Sequence, residues 1–143
     1  MYIKQPIFWL CLVLLALLAV LNNLAFNYYL YWRWFWFDKL MHFLAGLLIA
    51  WCALWLYFTF FRPEAAVTWK NTLLVGLIST LVIGGVWELL EFGVDSYFTA
   101  NIGLRSLAEL ESRFIYSVKD LLADAVGGLL GVVAFKTQSW LQA

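Results

Sequence analysis

Long apolar segments, separated by short polar ones, dominate the pattern of hydrophobic and polar positions along this chain. A helix needs about 20 apolar residues to cross the hydrocarbon core of a bilayer. Three segments reach that length, and a fourth, near the C terminus, is shorter and rich in glycine. The pattern therefore predicts four membrane-spanning helices, over residues 7–26, 40–61, 71–94 and 117–135.

Two other segments are predicted to lie at the membrane surface. Residues 27–37 are dominated by Tyr, Trp and Phe, and Tyr and Trp favour the headgroup level of a bilayer. Before the last span, Ser106 and Glu109 fit a helix-capping box. The apolar positions around that box recur at helical spacing: Leu104, Leu107, Leu110 and Phe114. We therefore expect an interfacial amphipathic helix before the last span.

Composition agrees with a membrane protein. The chain is 65% hydrophobic and 13% charged, whereas soluble domains are about 45–50% apolar and about 25% charged. The formal net charge of zero gives no indication of a nucleic-acid partner. Cys11 and Cys52 both lie in apolar segments, where they are expected to be packing residues. Because no linker divides the chain, we expect a single all-α transmembrane domain over residues 1–143.

Ionisable residues interrupt the apolar segments, and they are predicted to converge at one face of the membrane. Successive spans run antiparallel, so the start of the second, the end of the third and the start of the fourth share a face. Within each span, spacings of three or four residues place these groups on one side of the helix. The converging residues are Asp38, His42, Glu88, Glu91, Asp95, Asp120 and Asp124.

Unpaired carboxylates are costly in this position, because a charge at a helix centre costs about 2.5–3.5 kcal/mol on insertion. The acids must share protons, pair with cations such as Lys39, or bind a metal. Carboxylates suit Mg²⁺, Mn²⁺ or Ca²⁺, and an added imidazole also permits Zn²⁺ or Fe²⁺. The residues expected to hold a divalent metal are His42, Glu88, Asp120 and Asp124.

The remaining groups at this face suggest chemistry on a phosphate. Asp38 or Glu91 is expected to be the general base. Arg105 and Arg113 follow in the next loop, where guanidinium groups could hold phosphate oxygens. This chemistry would suit a lipid-linked or phosphate-bearing substrate of the cell envelope.

Three segments taken together, DKLMHFLAG, WELLEF and YSVKDLLADAVGGLLG, resemble the VanZ-like and YjdF-like group of small bacterial membrane proteins. The resemblance covers residues 37–131. Where VanZ itself tends to have Gln and Asn, this chain has Glu91 and Asp124, so the YjdF-like branch is the nearer comparison. For VanZ-like proteins the resemblance implies a role in tolerance of glycopeptide antibiotics. The matching positions are Asp38, Lys39, His42, Glu88, Asp120 and Gly128.

Several functions remain open from the sequence. The first is a divalent-metal-dependent enzyme, although the chain has no HExxH segment. The second is a proton- or cation-coupled transporter or channel, against which all the clustered charge lies at one face. The third is a non-catalytic membrane protein that binds a ligand, linked to glycopeptide tolerance. The fourth is a purely structural role, in which a salt-bridged polar cluster fixes the packing of the helices.

Partners and orientation follow from the same positions. Gly127 and Gly131 continue the stripe of Asp120 and Asp124 as a small-xxx-small face, which would support a homo-oligomer. The expected environment is membrane lipid, in the bacterial cytoplasmic membrane. Lys and Arg are nearly even between the two faces, so their count does not decide the orientation. If the acids pair with the basic residues at their own face, the other face has more unpaired positive charge. Both termini would then lie in the cytoplasm, and the site would face outward.

Overall fold

The computed structural model describes the backbone of residues 4–100 and 107–141. It describes the side chains of residues 6–94, 97 and 113–137. Within these residues every regular element is a helix. The elements are α1 (Lys4–Asn27), α2 (Leu30–Arg33), α3 (Phe35–Leu56), a π-helical turn (Tyr57–Phe61), α4 (Trp69–Ala100) and α5 (Leu107–Leu141).

Three segments in this part of the chain are long and apolar enough to cross a membrane: Pro6–Asn27, Phe35–Phe61 and Trp69–Val94. They correspond to the first three predicted spans. The fourth predicted span, 117–135, lies inside α5, a helix of 35 residues. The all-α membrane bundle expected from the sequence is therefore confirmed.

The polar segment after the third span differs from the prediction. The sequence predicted a loop from residue 95 to 117 containing a separate surface helix, whereas α4 continues to Ala100 and α5 already begins at Leu107. Leu107, Leu110 and Phe114 thus belong to the first turns of α5, while Leu104 and Ser106 lie outside the described residues. The physical reason is that hydropathy marks the edge of the apolar core, while a helix continues wherever its backbone hydrogen bonds do.

Helix α3 lies at the centre of the bundle and packs against α1, α4 and α5. Its approach to α5 is close because glycines face the opposite backbone. A Cβ at Gly46 would overlap the Asp124 carbonyl oxygen, and one at Gly127 would overlap that of Phe43. Gly131 also faces α3, at Leu47 and Trp51. The Gly127/Gly131 face of α5 therefore packs against α3 of the same chain. A homo-oligomer stays a prediction, and its interface would lie on another surface.

The apolar core occupies the half of the bundle that contains the N terminus of α1 and the C-terminal part of α5. Its buried members are Ile7, Cys11, Leu54, Phe58, Val132 and Phe135. The ends of α3, α4 and α5 that carry the ionisable residues lie at the opposite face, as the antiparallel order requires. The bundle therefore separates an apolar half from a polar end.

Candidate metal and substrate site

Four ionisable side chains from three helices are buried together at the polar end of the bundle. His42 on α3 and Glu88 on α4 are each 8% exposed, and Asp120 and Asp124 on α5 are 5% and 2% exposed. Each helix contributes its group from the end that the sequence predicted. Burial of this many ionisable groups requires specific partners, because an unpaired buried charge is strongly unfavourable.

The carboxylate of Asp124 contacts the Nδ1 side of the His42 imidazole. The distance from His42 Nδ1 to Asp124 Oδ2 is 3.3 Å. A Cβ at Gly84 would lie 2.6 Å from the same Oδ2, so glycine at this position leaves room for the carboxylate. When Nδ1–H donates to Asp124, the imidazole presents the lone pair of Nε2 to the other side, as in carboxylate–histidine–metal arrangements.

The Nε2 side of the imidazole faces carboxylates. Nε2 lies 3.7 Å from Glu88 Oε1 and 3.9 Å from Asp38 Oδ1. Within the described part of the chain, the buried Glu88 Oε1 accepts no hydrogen bond. His42, Glu88 and Glu91 each offer a ligand atom, and these atoms lie within 4.8 Å of one another. Metal–ligand bonds of about 2.0–2.2 Å can bridge such a set.

A second possible group, made of Asp38, His42 and Asp120, already contains a cation. Lys39 Nζ is 3.0 Å from Asp38 Oδ2 and forms a close ion pair with Asp120 Oδ1. The lysine ammonium therefore neutralises this side of the cluster. Glu88 and Glu91 face His42 on the other side of the cluster, where Arg113 is the basic residue among the described lining of the adjoining cavity.

A cavity of about 210 Å³ opens beside the cluster, between α4 and α5. The α4 wall carries Glu88 and Glu91, and the α5 wall carries Arg113, Ser117 and Asp120. Tyr116 also lines the cavity, and the ammonium groups of Lys39 and Lys119 lie over its ring, 5.5 and 5.6 Å from the ring centre. The lining residues are Glu88, Glu91, Phe92, Arg113, Tyr116, Ser117 and Asp120.

The structure brings most of the predicted site residues together. The ones that meet in the cluster or its cavity are Asp38, His42, Glu88, Glu91, Arg113, Asp120 and Asp124. Arg105 lies outside the described residues, and so does the side chain of Asp95. Sequence reasoning missed Ser117 and Tyr116. Ser117 lies three residues before Asp120, so the helical spacing used for the acids would have placed it on the same face.

Comparison with known proteins identifies the family. The family described as "Predicted membrane protein (DUF2238)" matches residues 2–140. Comparisons with curated proteins and with solved structures gave no significant match. Since the family match covers nearly the whole chain, and the helical bundle with its three apolar spans agrees with it, the chain belongs to this family of predicted membrane proteins, DUF2238.

Proposed function

We propose that the chain is a divalent-metal-dependent membrane enzyme that acts on a lipid-linked or phosphate-bearing substrate of the cell envelope. One observation carries the proposal: the buried Glu88 Oε1 accepts no hydrogen bond in the described part of the chain and faces His42 Nε2 at 3.7 Å. A buried carboxylate oxygen normally has a partner. A cation shared with the imidazole would supply one.

The proposed ligands are His42, Glu88 and Glu91. Asp124 is assigned to orienting the imidazole through Nδ1, and Asp120 to the ion pair with Lys39. Three protein ligands with one imidazole suit Zn²⁺ or Mn²⁺, which leave positions open for water or substrate. Ca²⁺ prefers six to eight oxygen ligands and suits the set less well.

Charge supports the same assignment. Five carboxylates lie around the imidazole; Lys39 pairs with Asp38 and Asp120, and Arg113 lines the cavity beside Glu88 and Glu91. At this depth an unpaired charge costs up to about 2.5–3.5 kcal/mol. A divalent cation between His42, Glu88 and Glu91 would offset much of the negative charge that remains. A metal in such a place lowers the pKa of a bound water and polarises a phosphoryl oxygen.

The cavity supplies the other groups that such a reaction needs. Arg113 lines it opposite the acids, and a guanidinium pairs well with two phosphate oxygens. Asp38 is half-exposed and near His42 Nε2, which suits a general base that exchanges protons with water. Arg105 would add a second cation at this face.

A cation pathway is less well supported. Beyond Asp124 the buried polar groups are used inside the bundle, because the Thr80 hydroxyl donates to the Gly76 and Gly46 carbonyls and the Thr72 hydroxyl donates to that of Thr68. The buried Lys136 ammonium likewise donates to the Val67 carbonyl, and the hydrophobic core cluster of that half is apolar. An outward-facing site in the bacterial cytoplasmic membrane, with cytoplasmic termini, is part of the proposal, as is the kinship with the VanZ-like and YjdF-like group.

The test is metal content together with turnover. Purified protein in detergent is loaded with Mn²⁺ or Zn²⁺, desalted and analysed for metal, beside Glu88→Gln and Glu64→Gln. Glu64 is an exposed acid in the segment before α4 and serves as the matched control. We expect stoichiometric metal in the wild type and in Glu64→Gln, and its loss in Glu88→Gln.

Release of phosphate from polyprenyl diphosphate and phosphatidic acid is measured on the same samples. Metal-dependent release that Glu88→Gln abolishes would support the enzyme. Equal metal content in all three proteins would overturn the metal site. Bound metal without release from either lipid would favour the third function, a ligand-binding protein.

A further inference from the structure

We propose that the substrate is a phosphate-bearing membrane lipid whose headgroup enters the cavity sideways from the bilayer, between α4 and α5. The inference rests on the proposed function and adds the substrate class and its route. It begins from the cavity walls, whose described residues belong to α4 and α5. The cavity is therefore a lateral feature of the bundle.

Depth favours a lipid over a soluble ligand. Glu88 and Glu91 lie six and three residues before Val94, the end of the apolar segment of α4. At about 1.5 Å per residue, these carboxylates lie roughly 9 and 5 Å below that level. The headgroup layer lies just outside the hydrocarbon core, so a lipid phosphate would need to move inward by only about 5 Å from that level to reach Glu91.

Each of the two helices contributes an exposed aromatic ring to the cavity lining. Phe92 and Tyr116 line the cavity and are themselves 43% and 59% exposed. Such side chains in a membrane protein face acyl chains, with Tyr favouring the headgroup level. An amphiphile would place its charged end on Arg113 and the metal, and its apolar end on these rings.

Helix α4 has open space on its surface at Gly85, on the bilayer-centre side of the cavity residue Glu88. Gly85 lies one turn below Glu88 and Leu89, and a Cβ there would have no atom within 4 Å. Leu81 and Leu89, four residues to either side, are exposed. We call the open space at Gly85, between Leu81 and Leu89, the groove. An acyl chain attached to a headgroup in the cavity would lie along it.

The proposed metal and Arg113 together would favour an anionic lipid. Both would attract phosphate oxygens, whereas a neutral diacylglycerol offers no anionic oxygen to either. Inorganic or glycerol-linked phosphate has the same charged chemistry but no chain for the groove. The two sources are separated by comparing phosphatidic acid with soluble glycerol 3-phosphate.

The experiment measures lipid retention by native mass spectrometry of the full chain loaded with Mn²⁺. Phosphatidic acid, diacylglycerol and glycerol 3-phosphate are titrated separately. Arg113→Gln removes the phosphate partner, and Arg33→Gln, an exposed arginine at the same face, is its control. Gly85→Phe fills the groove, and Ile83→Phe adds the same ring on the other side of α4, at an exposed position.

We expect phosphatidic acid to be retained in preference to both other ligands. Arg113→Gln should weaken its retention about tenfold or more, as for the loss of a charge-assisted hydrogen bond. Gly85→Phe should reduce retention while leaving the metal in place. Both controls should resemble the wild type.

Two results would overturn the inference: glycerol 3-phosphate bound as well as phosphatidic acid, or Gly85→Phe retaining lipid as Ile83→Phe does. Metal content of the same samples is read separately. If the wild type holds no metal, the proposed function fails, and the dependence of retention on Arg113 and Gly85 still decides whether the lipid site exists.

Discussion

Replacing Gly46 by alanine tests how the site is built. A Cβ at this position would overlap the Asp124 carbonyl oxygen, so α3 and α5 would have to separate by roughly 1 Å at this level. His42 lies one turn away on α3, and its Nδ1 is already 3.3 Å from Asp124 Oδ2. Since hydrogen bonds end near about 3.5 Å, the same movement breaks the contact that orients the imidazole.

The magnitude follows from two opposing effects. Overpacking costs about 1–3 kcal/mol, and the upper end applies here because the opposing atom belongs to the backbone and cannot rotate away. Alanine recovers about 0.5–1 kcal/mol of helix stability relative to glycine. We expect a net loss of about 2 kcal/mol, which for a domain of this size lowers Tm by about 6 °C.

Gly85→Ala is the matched control, because a Cβ at Gly85 meets no atom within 4 Å. It should raise Tm slightly and leave Mn²⁺ affinity unchanged. Thermal unfolding in detergent, followed by circular dichroism, and Mn²⁺ titration check both variants. The reasoning would be refuted if Gly46→Ala and Gly85→Ala unfolded at the same temperature and bound Mn²⁺ equally well.

Three further predictions concern single contacts. Asp124→Asn should weaken Mn²⁺ binding about 10–100-fold by releasing the imidazole; unchanged affinity in a metal titration would show that Asp124 does not orient His42. Lys39→Met leaves the buried Asp120 carboxylate without its lysine partner and should lower the free energy of unfolding by about 3 kcal/mol or more. Adding Asp120→Asn should restore most of this stability in thermal unfolding, and additive losses would count against the ion pair. Cys11 of α1 is buried in the apolar core, and Cys52 of α3 packs against that core. Mild oxidation should therefore join the two thiols and remove both from alkylation in an intact-mass assay, and continued alkylation of both would contradict this packing.

Two sequence rules were enough to bring the polar groups together. Antiparallel spans placed His42, Glu88 and Asp124 at one face, and helical spacing turned them toward a common interface. Both rules depend on the helix period and on the lengths of the spans, and both quantities can be read from the positions of the apolar residues. The convergence in the structure follows from those two quantities.

The division of roles among the acids was not predictable in the same way. Whether Asp120 pairs with Lys39 or faces His42 depends on side-chain rotamers and on the close approach of α3 to α5. Helix ends were missed for a related reason. The pattern ended the third span at residue 94 where polarity rises, but α4 continues to Ala100 because polar residues satisfy a helix backbone as well as apolar ones do.

The measurement closest to the central claim is electron spin-echo spectroscopy of the Mn²⁺-loaded protein. Coordination by His42 Nε2 predicts a nitrogen coupling to the ion, present in the wild type and in Glu64→Gln. The coupling should vanish in His42→Ala and in Glu88→Gln, where the metal is no longer held. A spectrum with water proton couplings alone, identical in all four proteins, would contradict a metal site at His42, Glu88 and Glu91.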